Sequence, residues 1–321
     1  MSSQRKVLEA ALRALATGDA GAGLAVVVDT EGSTYVHAGA MALFSTRDGQ
    51  TGWLSGGCLE PDIQRRALAA AEAGALDWMD IDTRDDEDLL SGSAVGCRGR
   101  LRLALLPLAK LEGLAALLEA WRLGGDALHW SVAADGDLRV RLDGSSAQWR
   151  LPVMPRAEAP RQAGYALAIR AAPRVLICGA GPETPLLVPW LRELGWRVTV
   201  AERRARWQAA AALADHAWDV SPTEAAARAA GHDAALVMHH HFELDREALA
   251  ALADSGLPFI GLLGPGRRRD DLFKVLPAET RERLRHRLRS PIGLRLGGQG
   301  PEAIALSIAA QLQAVLAAEP A

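Results

Sequence analysis

The stretch Val175-Leu176-Ile177-Cys178-Gly179-Ala180-Gly181-Pro182-Glu183-Thr184 decides the fold of the C-terminal half of this chain. Its apolar start predicts a buried strand, and its two glycines match the first two of a Gly-x-Gly-x-x-Gly turn. Such glycines let the backbone turn sharply and approach a phosphate closely. The next predicted strand ends at Glu202, about 20 residues further on, where an acidic side chain would meet a ribose hydroxyl. Strand, turn, helix, strand and acid in this order predict a Rossmann-like fold.

The rest of the C-terminal half continues this alternation of strands and helices. We predict its strands at 175–178, 197–201, 216–220, 234–238 and 258–263. Helical segments rich in Ala, Leu and Arg separate them, as is typical of a parallel sheet covered on both faces.

The N-terminal half predicts an α+β domain with a different pattern. A helix over 7–15 precedes a strand over 24–28, and Asp48-Gly49 predicts a hairpin in a small sheet with short connections. We predict a further helix over 62–74 and interpret the acidic stretch 80–88 as a solvated loop. Prolines cluster between the two patterns. They place a domain boundary near Ala172, which gives an N-terminal domain over 1–172 and a C-terminal domain over 173–321.

Composition limits the class of protein. The 321 residues are 49% hydrophobic and 23% charged with a formal net charge of −3, which fits a two-domain globular protein and argues against nucleic-acid binding. No apolar run reaches the roughly 20 residues of a membrane span, so we expect a cytoplasmic protein with no membrane contact. The three cysteines form no Cys-x-x-Cys pair, which indicates free thiols.

The run Leu54-Ser55-Gly56-Gly57-Cys58-Leu59-Glu60 places a thiol between two glycines and a predicted helix. Backbone N–H groups at a helix start carry partial positive charge and ease ionisation of a nearby cysteine, which makes it a better ligand or nucleophile. A lone cysteine is more often a core residue. The adjacent glycines favour a functional thiol here, because they mark close backbone approach or positive φ.

The glycine turn leaves nucleotide binding open. Thr184 stands where the third small residue is usual, and we predict that Pro189 kinks the helix that follows. A Rossmann-like fold without a nucleotide is the alternative. Arg203 and Arg204 would accept a phosphate on the ribose, so the choice of nucleotide is open as well.

Two further clusters follow predicted strands of the C-terminal half. His239-His240-His241 lies at the carboxyl end of a strand, where ligands bind in open α/β sheets. Neighbours in an extended segment point to opposite sides, so we predict a functional His240 with the other two exposed. Asp245 is a helix cap or a site residue. The run Gly264-Pro265-Gly266-Arg267-Arg268-Arg269 is either an anion-binding corner or a solvated basic helix end.

Motifs over nearly the whole chain follow the order and spacing of one protein family. In the N-terminal half they are Gly32-Ser33, Ala38-Gly39-Ala40-Met41, Ser55-Gly56-Gly57-Cys58-Leu59-Glu60 and Gly96-Cys97. In the C-terminal half they are Cys178-Gly179-Ala180-Gly181, Glu202 with Arg204, His240 with Asp245, Gly261 to Gly264 with its arginines, and Pro291-Ile292-Gly293-Leu294 before Pro301-Glu302-Ala303-Ile304-Ala305. Together these motifs resemble the XdhC/CoxI family, the maturation factors of molybdenum hydroxylases such as xanthine dehydrogenase.

The resemblance implies a cofactor chaperone rather than a turnover enzyme. Such a protein binds the molybdenum cofactor (molybdopterin), protects it, supports its sulfuration with a cysteine desulfurase and delivers it to the apoenzyme of a molybdenum hydroxylase. We also expect a homodimer, and we assign no catalytic residue and no separate metal site. The residues expected to bind the cofactor, or possible NAD(P), are Ser55, Gly56, Gly57, Cys58, Glu60, Cys97, Gly179, Gly181, Glu202, Arg204, His240, Arg267 and Arg268. Thiols offer soft ligands, and glycine N–H groups and arginines suit a phosphate.

The chain departs from the family pattern at three places. The usual Gly-Cys-Gly-Gly is Gly96-Cys97-Arg98-Gly99, a frequent histidine is Pro182, and the usual aspartate on the second strand is Glu202. These departures affect the Cys97 and nucleotide assignments and leave Cys58 untouched.

Two other functions compete with the chaperone. One is an NAD(P)-dependent oxidoreductase that uses the turn at Gly179 to Gly181, with a cysteine or His240 near the reacting carbon. The other is a transition-metal site at His239 to His241. The Cys58 loop favours the chaperone, because a plain dehydrogenase has no need of such a loop in a separate domain.

Overall fold

The structure is a computed structural model that describes residues 2–84, 98–124, 126–155 and 162–318. Its chain divides into two compact units, Met1–Ala172 and Pro173–Ala321. Each unit buries apolar clusters of its own. No helix in the described ranges is both long and apolar enough to cross a membrane.

The N-terminal unit combines two antiparallel sheets with three α-helices in its described part. The first sheet has the strand order β3-β2-β1-β5-β4, and the second has the order β8-β7-β6-β9. The elements are α1 (Ser2–Ala16), β1 (Gly23–Gly32), β2 (Met41–Ser45), β3 (Gly49–Thr51), α2 (Glu60–Ala73), β4 (Asp77–Asp82), β5 (Gly99–Pro107), α3 (Leu114–Leu123), β6 (Leu128–Ala133), β7 (Asp137–Leu142), β8 (Ser145–Arg150) and β9 (Gly164–Ile169).

Strand β1 shows why the first sheet is covered on both faces. Its first half is an uninterrupted apolar run, as expected for a strand buried on both sides. Leu24 and Val26 pack in one cluster with α1, whereas Ala25 and Val27 pack in another with α2, because successive side chains point to opposite faces.

The acidic stretch is not simply a solvated loop, so that prediction is wrong for residues 80–82. They belong to β4, which pairs antiparallel with β5. The carboxylate of Asp80 forms ion pairs with Arg100 and Arg102, which are largely buried. Partners on the neighbouring strand therefore hold these charges in the sheet, and residues 85–88 of the stretch lie outside the described part.

The C-terminal unit is a Rossmann-like fold, as the sequence predicts. Its six parallel strands have the order β12-β11-β10-β13-β14-β15. The elements are β10 (Arg174–Cys178), α4 (Thr184–Glu193), β11 (Arg197–Ala201), α5 (Gln208–Ala211), β12 (His216–Trp218), α6 (Pro222–Ala227), β13 (Ala234–Val237), α7 (Phe242–Ala253), β14 (Phe259–Leu262), α8 (Gly266–Val275), α9 (Ala278–Leu284), β15 (Leu288–Arg289) and α10 (Gly300–Ala318).

The helices of this unit cover both faces of its sheet. Helices α4 and α10 pack on one face and α6 to α9 on the other. Helix α4 contains Pro189 and runs unbroken from Thr184 to Glu193. Helix α4 follows β10 and α7 follows the neighbouring β13, so the chain leaves these two strands toward opposite faces of the sheet. This divergence is the topological switch point, where open α/β sheets bind their ligands.

Candidate functional site

The Cys58 loop connects β3 to α2 and is shaped by the first residue of that helix. The Glu60 side chain is buried and turns back under the loop. Its carboxylate accepts hydrogen bonds from the N–H groups of Leu54 at 2.9 Å, Ser55 at 2.7 Å and Gly57 at 3.0 Å, and from the Ser55 hydroxyl. Four donors occupy the roughly four acceptor positions of a carboxylate.

These hydrogen bonds fix the charge state of Glu60. Burial alone would raise the pKa of this carboxyl, but the hydrogen bonds from Ser55 and Leu54 outweigh burial and hold the pKa below its ordinary value of 4.5. The carboxylate is thus ionised at neutral pH and stabilises the loop as a charged acceptor.

Ser55 connects Glu60 to the thiol. Its hydroxyl donates to Glu60 and accepts from the N–H groups of Gly57 at 3.3 Å and Leu59 at 3.1 Å. The Cys58 Sγ lies 3.9 Å from the Ser55 Oγ. Ser55 and Glu60 are both buried, so they lie beneath the loop rather than on its exposed side.

The outer side of the loop is open. Cys58 is exposed, and its own N–H and that of Gly56 have no hydrogen-bond partner among the described residues. A Cβ atom added to Gly56 or Gly57 would meet no atom within 4 Å. Gly57 has φ +105°, which favours glycine. In the described part of the chain the loop therefore has an exposed thiol and two N–H groups without a partner.

Two exposed aromatic residues of this unit were missed in the sequence analysis. Trp53 precedes the loop and is 56% exposed, and Tyr35 is 58% exposed. Val36, which follows Tyr35, and Leu59 of the Cys58 loop both pack against one apolar cluster. Large aromatic side chains left in water are the signal, because they offer stacking faces to a planar ligand. Exposure becomes visible only in the fold.

The second predicted site gathers at the carboxyl edge of the parallel sheet. Of the predicted residues it brings together Gly179, Gly181, Glu202, Arg204, His240 and Arg268.

The N–H groups of the glycine turn at this site are all used within the protein. Pro182 has none, and the others donate as follows: Gly179 to the Ala201 carbonyl at 2.8 Å, Ala180 to Glu202 Oε2 at 2.8 Å, and Gly181 to Thr184 Oγ1 at 2.9 Å.

Glu202 points back into this turn. Its side chain is 1% exposed. Oε1 accepts from the N–H and Nε of Arg204, and Oε2 accepts from Nη2 of Arg204 and from the N–H of Ala180. Burial would raise the pKa of Glu202, but the hydrogen bonds from Arg204 and Ala180 outweigh it and lower the pKa below 4.5. The acid expected to meet a ribose hydroxyl is fully engaged by the protein.

His240 lies against the same turn. It is in the left-handed region with φ +54°, a strained conformation for a histidine, and its side chain is 43% exposed. Its Nε2 lies 3.1 Å from Oε2 of the buried Glu183. Burial would raise the pKa of Glu183, but the hydrogen bond from His240 outweighs it and lowers the pKa. A carboxylate thus holds one nitrogen of a half-exposed imidazole.

The prediction that His239 is exposed is wrong. Its side chain is buried, and its Nδ1 lies 3.1 Å from Oδ1 of Asp245. Asp245 is also buried and forms an ion pair with Arg268. It is a network residue rather than a helix cap, since His241 caps α7 by accepting the N–H of Leu244. His239 can be buried because its ring is paired with Asp245, and Asp245 is in turn paired with Arg268.

The remaining predicted residues lie apart from this cluster. Arg267 is 90% exposed, and its nearest carboxylate partner is Asp271 at 3.8 Å. Cys178 is buried, and burial together with the charge of Asp245 raises the pKa of its thiol to about 12, which makes it inert. Cys97 lies outside the described residues. In the described part of the chain no group of three His, Cys, Asp or Glu side chains is placed to hold a metal ion.

Comparison with known proteins places both units in one family. Residues 175–312 match the family model of the XdhC Rossmann domain, and residues 15–79 match that of the XdhC and CoxI family. A Bacillus subtilis (strain 168) protein, named as a probable subunit of xanthine dehydrogenase, is 27% identical over 314 residues, which cover 90% of this chain and 91% of that protein. A crystal structure of a xanthine dehydrogenase from Bacillus halodurans is 27% identical with a TM-score of 0.79, over 99% of this chain and 97% of that one. The chain therefore belongs to the XdhC and CoxI family.

Proposed function

We propose that this chain is a maturation factor for a molybdenum hydroxylase of the xanthine dehydrogenase type. In this role it binds the molybdenum cofactor, protects it and delivers it to the apoenzyme. Membership of the XdhC and CoxI family supports the proposal, and so do the names of two relatives, both of which refer to xanthine dehydrogenase.

The Cys58 loop is the observation that carries the proposal. Its donor set fits the cofactor, because an exposed thiol is a soft ligand and two free N–H groups suit an anionic group such as a phosphate. When bound, the cofactor supplies the molybdenum centre and a phosphate. Cys58 and the N–H groups of Gly56 and Cys58 would hold it, while Ser55 and Glu60 keep the loop in shape from below.

Sulfuration of the bound cofactor is part of the proposed role. It requires a cysteine desulfurase as sulfur donor and the hydroxylase apoenzyme as acceptor of the finished cofactor. We also propose that the chain acts as a homodimer. Co-purification of each partner with the tagged full-length chain, and light scattering for the dimer, test these points separately.

The decisive experiment replaces the exposed thiol and measures retained molybdenum. Cys58→Ala should lower the molybdenum content of the full-length protein, purified from cells that make the cofactor, by at least about tenfold. Cys178→Ala is the matched control, because it removes a buried thiol from the other unit and should leave the molybdenum content unchanged. Wild-type molybdenum content in Cys58→Ala would contradict the proposal.

A further inference from the structure

A Rossmann-like turn suggests a dinucleotide, and the donor set of this turn does not fit one. In dinucleotide-binding proteins, backbone N–H groups and the N-terminus of the following helix meet the pyrophosphate, and an acid meets the ribose. Here the N–H groups of Gly179, Ala180 and Gly181 are bonded within the protein, and Pro182 has none. Glu202 already accepts four hydrogen bonds. Among the described residues, the glycine turn therefore has no free N–H group at Gly179, Ala180 or Gly181 for a pyrophosphate, and its acid is not free for a ribose.

The glycines of the turn have another use. Gly181 is not among the residues with positive φ, so its backbone tolerates a side chain. A Cβ atom there would nevertheless lie 2.6 Å from the His240 Nε2 and 2.8 Å from the Glu183 Oε2. At Gly179 it would lie 2.5 Å from the ring of His239. The close approach that a pyrophosphate makes in a dehydrogenase is made here by the histidines of the chain itself.

We propose that the C-terminal unit binds no nicotinamide dinucleotide, and that its glycine turn instead seats the Glu183–His240 pair as the ligand-binding group of the switch-point crevice. This proposal is independent of the role of Cys58.

The pair also defines the class of ligand. An ionised carboxylate only accepts hydrogen bonds, so the Nε2 of His240 carries the proton toward Glu183. In the neutral ring the Nδ1 then has a lone pair, and no partner for it exists among the described residues. The crevice thus offers a hydrogen-bond acceptor where a dehydrogenase turn offers donors. Its ligand is one that presents an N–H or O–H group to the imidazole.

Calorimetry on the full-length chain tests the exclusion of dinucleotides. NAD+, NADH, NADP+ and NADPH should each show no binding tighter than about 1 mM. A dissociation constant in the micromolar range for any of the four would overturn the proposal.

A double-mutant cycle tests the seating of His240. Gly181→Ala should lower the Tm of the C-terminal unit by at least about 4 °C, because the new Cβ atom collides with His240. In a His240→Ala background the same change should cost less than half as much, because the colliding ring is gone. Gly256→Ala is the control, since a Cβ atom there meets nothing within 4 Å.

Equal costs of Gly181→Ala in the two backgrounds would overturn the seating of His240. If Gly181→Ala alone does not fold, recovery of folding in the double variant supports it, and failure of both variants counts against it. Nitrogen-15 NMR of the histidine rings then tests the ligand class: the proposal requires a neutral His240 ring with its proton on Nε2, and a proton on Nδ1 would overturn it.

Discussion

Two glycine-rich loops of this chain share one construction and differ in what they leave open. In each, a buried glutamate, Glu60 or Glu202, turns back and accepts four hydrogen bonds from the loop and its neighbours. The loop above Glu60 still has an exposed thiol at Cys58 and two N–H groups with no partner in the described ranges. The turn above Glu202 has its N–H groups bonded and its thiol, Cys178, buried.

The difference teaches that glycine patterns do not by themselves identify a ligand site. No described atom lies within 4 Å of a Cβ atom added to Gly56 or Gly57, whereas histidines of the chain fill the space at Gly179 and Gly181. Glycine allows close approach in both places. What approaches, a ligand or the protein, depends on the neighbouring strand. The open loop is therefore the better candidate for cofactor binding.

The largest expected contrast between the two loops is in thiol reactivity. Iodoacetamide should label Cys58 in the folded protein and leave Cys178 unlabelled. At a pKa of about 12, Cys178 has about 1000-fold less thiolate than at its ordinary value of 9.0, and burial also blocks access. Peptide mapping by mass spectrometry reads each site separately. Comparable labelling of both cysteines before denaturation would show that the turn is not closed.

The network behind the closed turn should make a large contribution to stability. Asp245→Ala removes a buried carboxylate and leaves Arg268 and His239 without their partner, so we expect a loss of about 3 kcal/mol or more in the free energy of unfolding. Asp254→Ala is the control, because its ion pair with Arg283 is exposed to solvent and should contribute little to stability. Urea denaturation measures both. Similar losses for the two variants would refute the network.

The closed turn should also respond to acid. The pKa values of Glu183, Glu202 and Asp245 are all lowered in the folded protein, so the unfolded chain binds protons more readily. These carboxylates stabilise the folded protein fully above their unfolded pKa values of 4.5 for Glu and 3.8 for Asp. This stabilisation is lost as the pH falls through their lower folded pKa values. Thermal unfolding between pH 7 and pH 3 should show this loss. Glu202→Gln should make the Tm less dependent on pH. An unchanged slope of Tm against pH would argue against a contribution from Glu202.

The open loop should depend on its glutamate to a smaller degree. Glu60→Ala removes the acceptor of four donors and should cost about 2 kcal/mol. It should also lower molybdenum retention, because the loop loses its shape. Glu72→Ala, an exposed position on the same helix, should change neither the unfolding midpoint nor the molybdenum content. A wild-type molybdenum content in Glu60→Ala would show that cofactor binding does not depend on the loop shape that Glu60 maintains.

The smallest effect should distinguish the two glycines of the open loop. Gly57→Ala forces a side chain into φ +105° and should cost about 1 kcal/mol, although there is room for the methyl group. Gly56→Ala has the same room and no positive φ, so it should be nearly neutral. Thermal unfolding compares the pair directly. A larger cost at Gly56 than at Gly57 would mean that the loop has another conformation.

Local patterns allowed much of the fold to be predicted. Buried parallel strands are continuous apolar runs, so the Rossmann-like fold of the C-terminal unit was predicted correctly. Five of its six strands were predicted, and the two-residue strand β15 was missed. The wrong predictions concern charged and polar side chains. The acidic residues 80–82 form part of a strand because Arg100 and Arg102 lie opposite them. His239 is buried because its ring nitrogen forms a hydrogen bond with the carboxylate of Asp245.

The sequence by itself determined the family, the fold class and the position of an unusual thiol, because each depends on residues close together in the chain. Only the tertiary structure decided which glycine loop is open. That outcome depends on distant residues, since His240 reaches Gly181 from a neighbouring strand and Glu202 reaches Ala180 from another. Packing and hydrogen bonding between strands close one loop, and the absence of such neighbours among the described residues leaves Cys58 exposed.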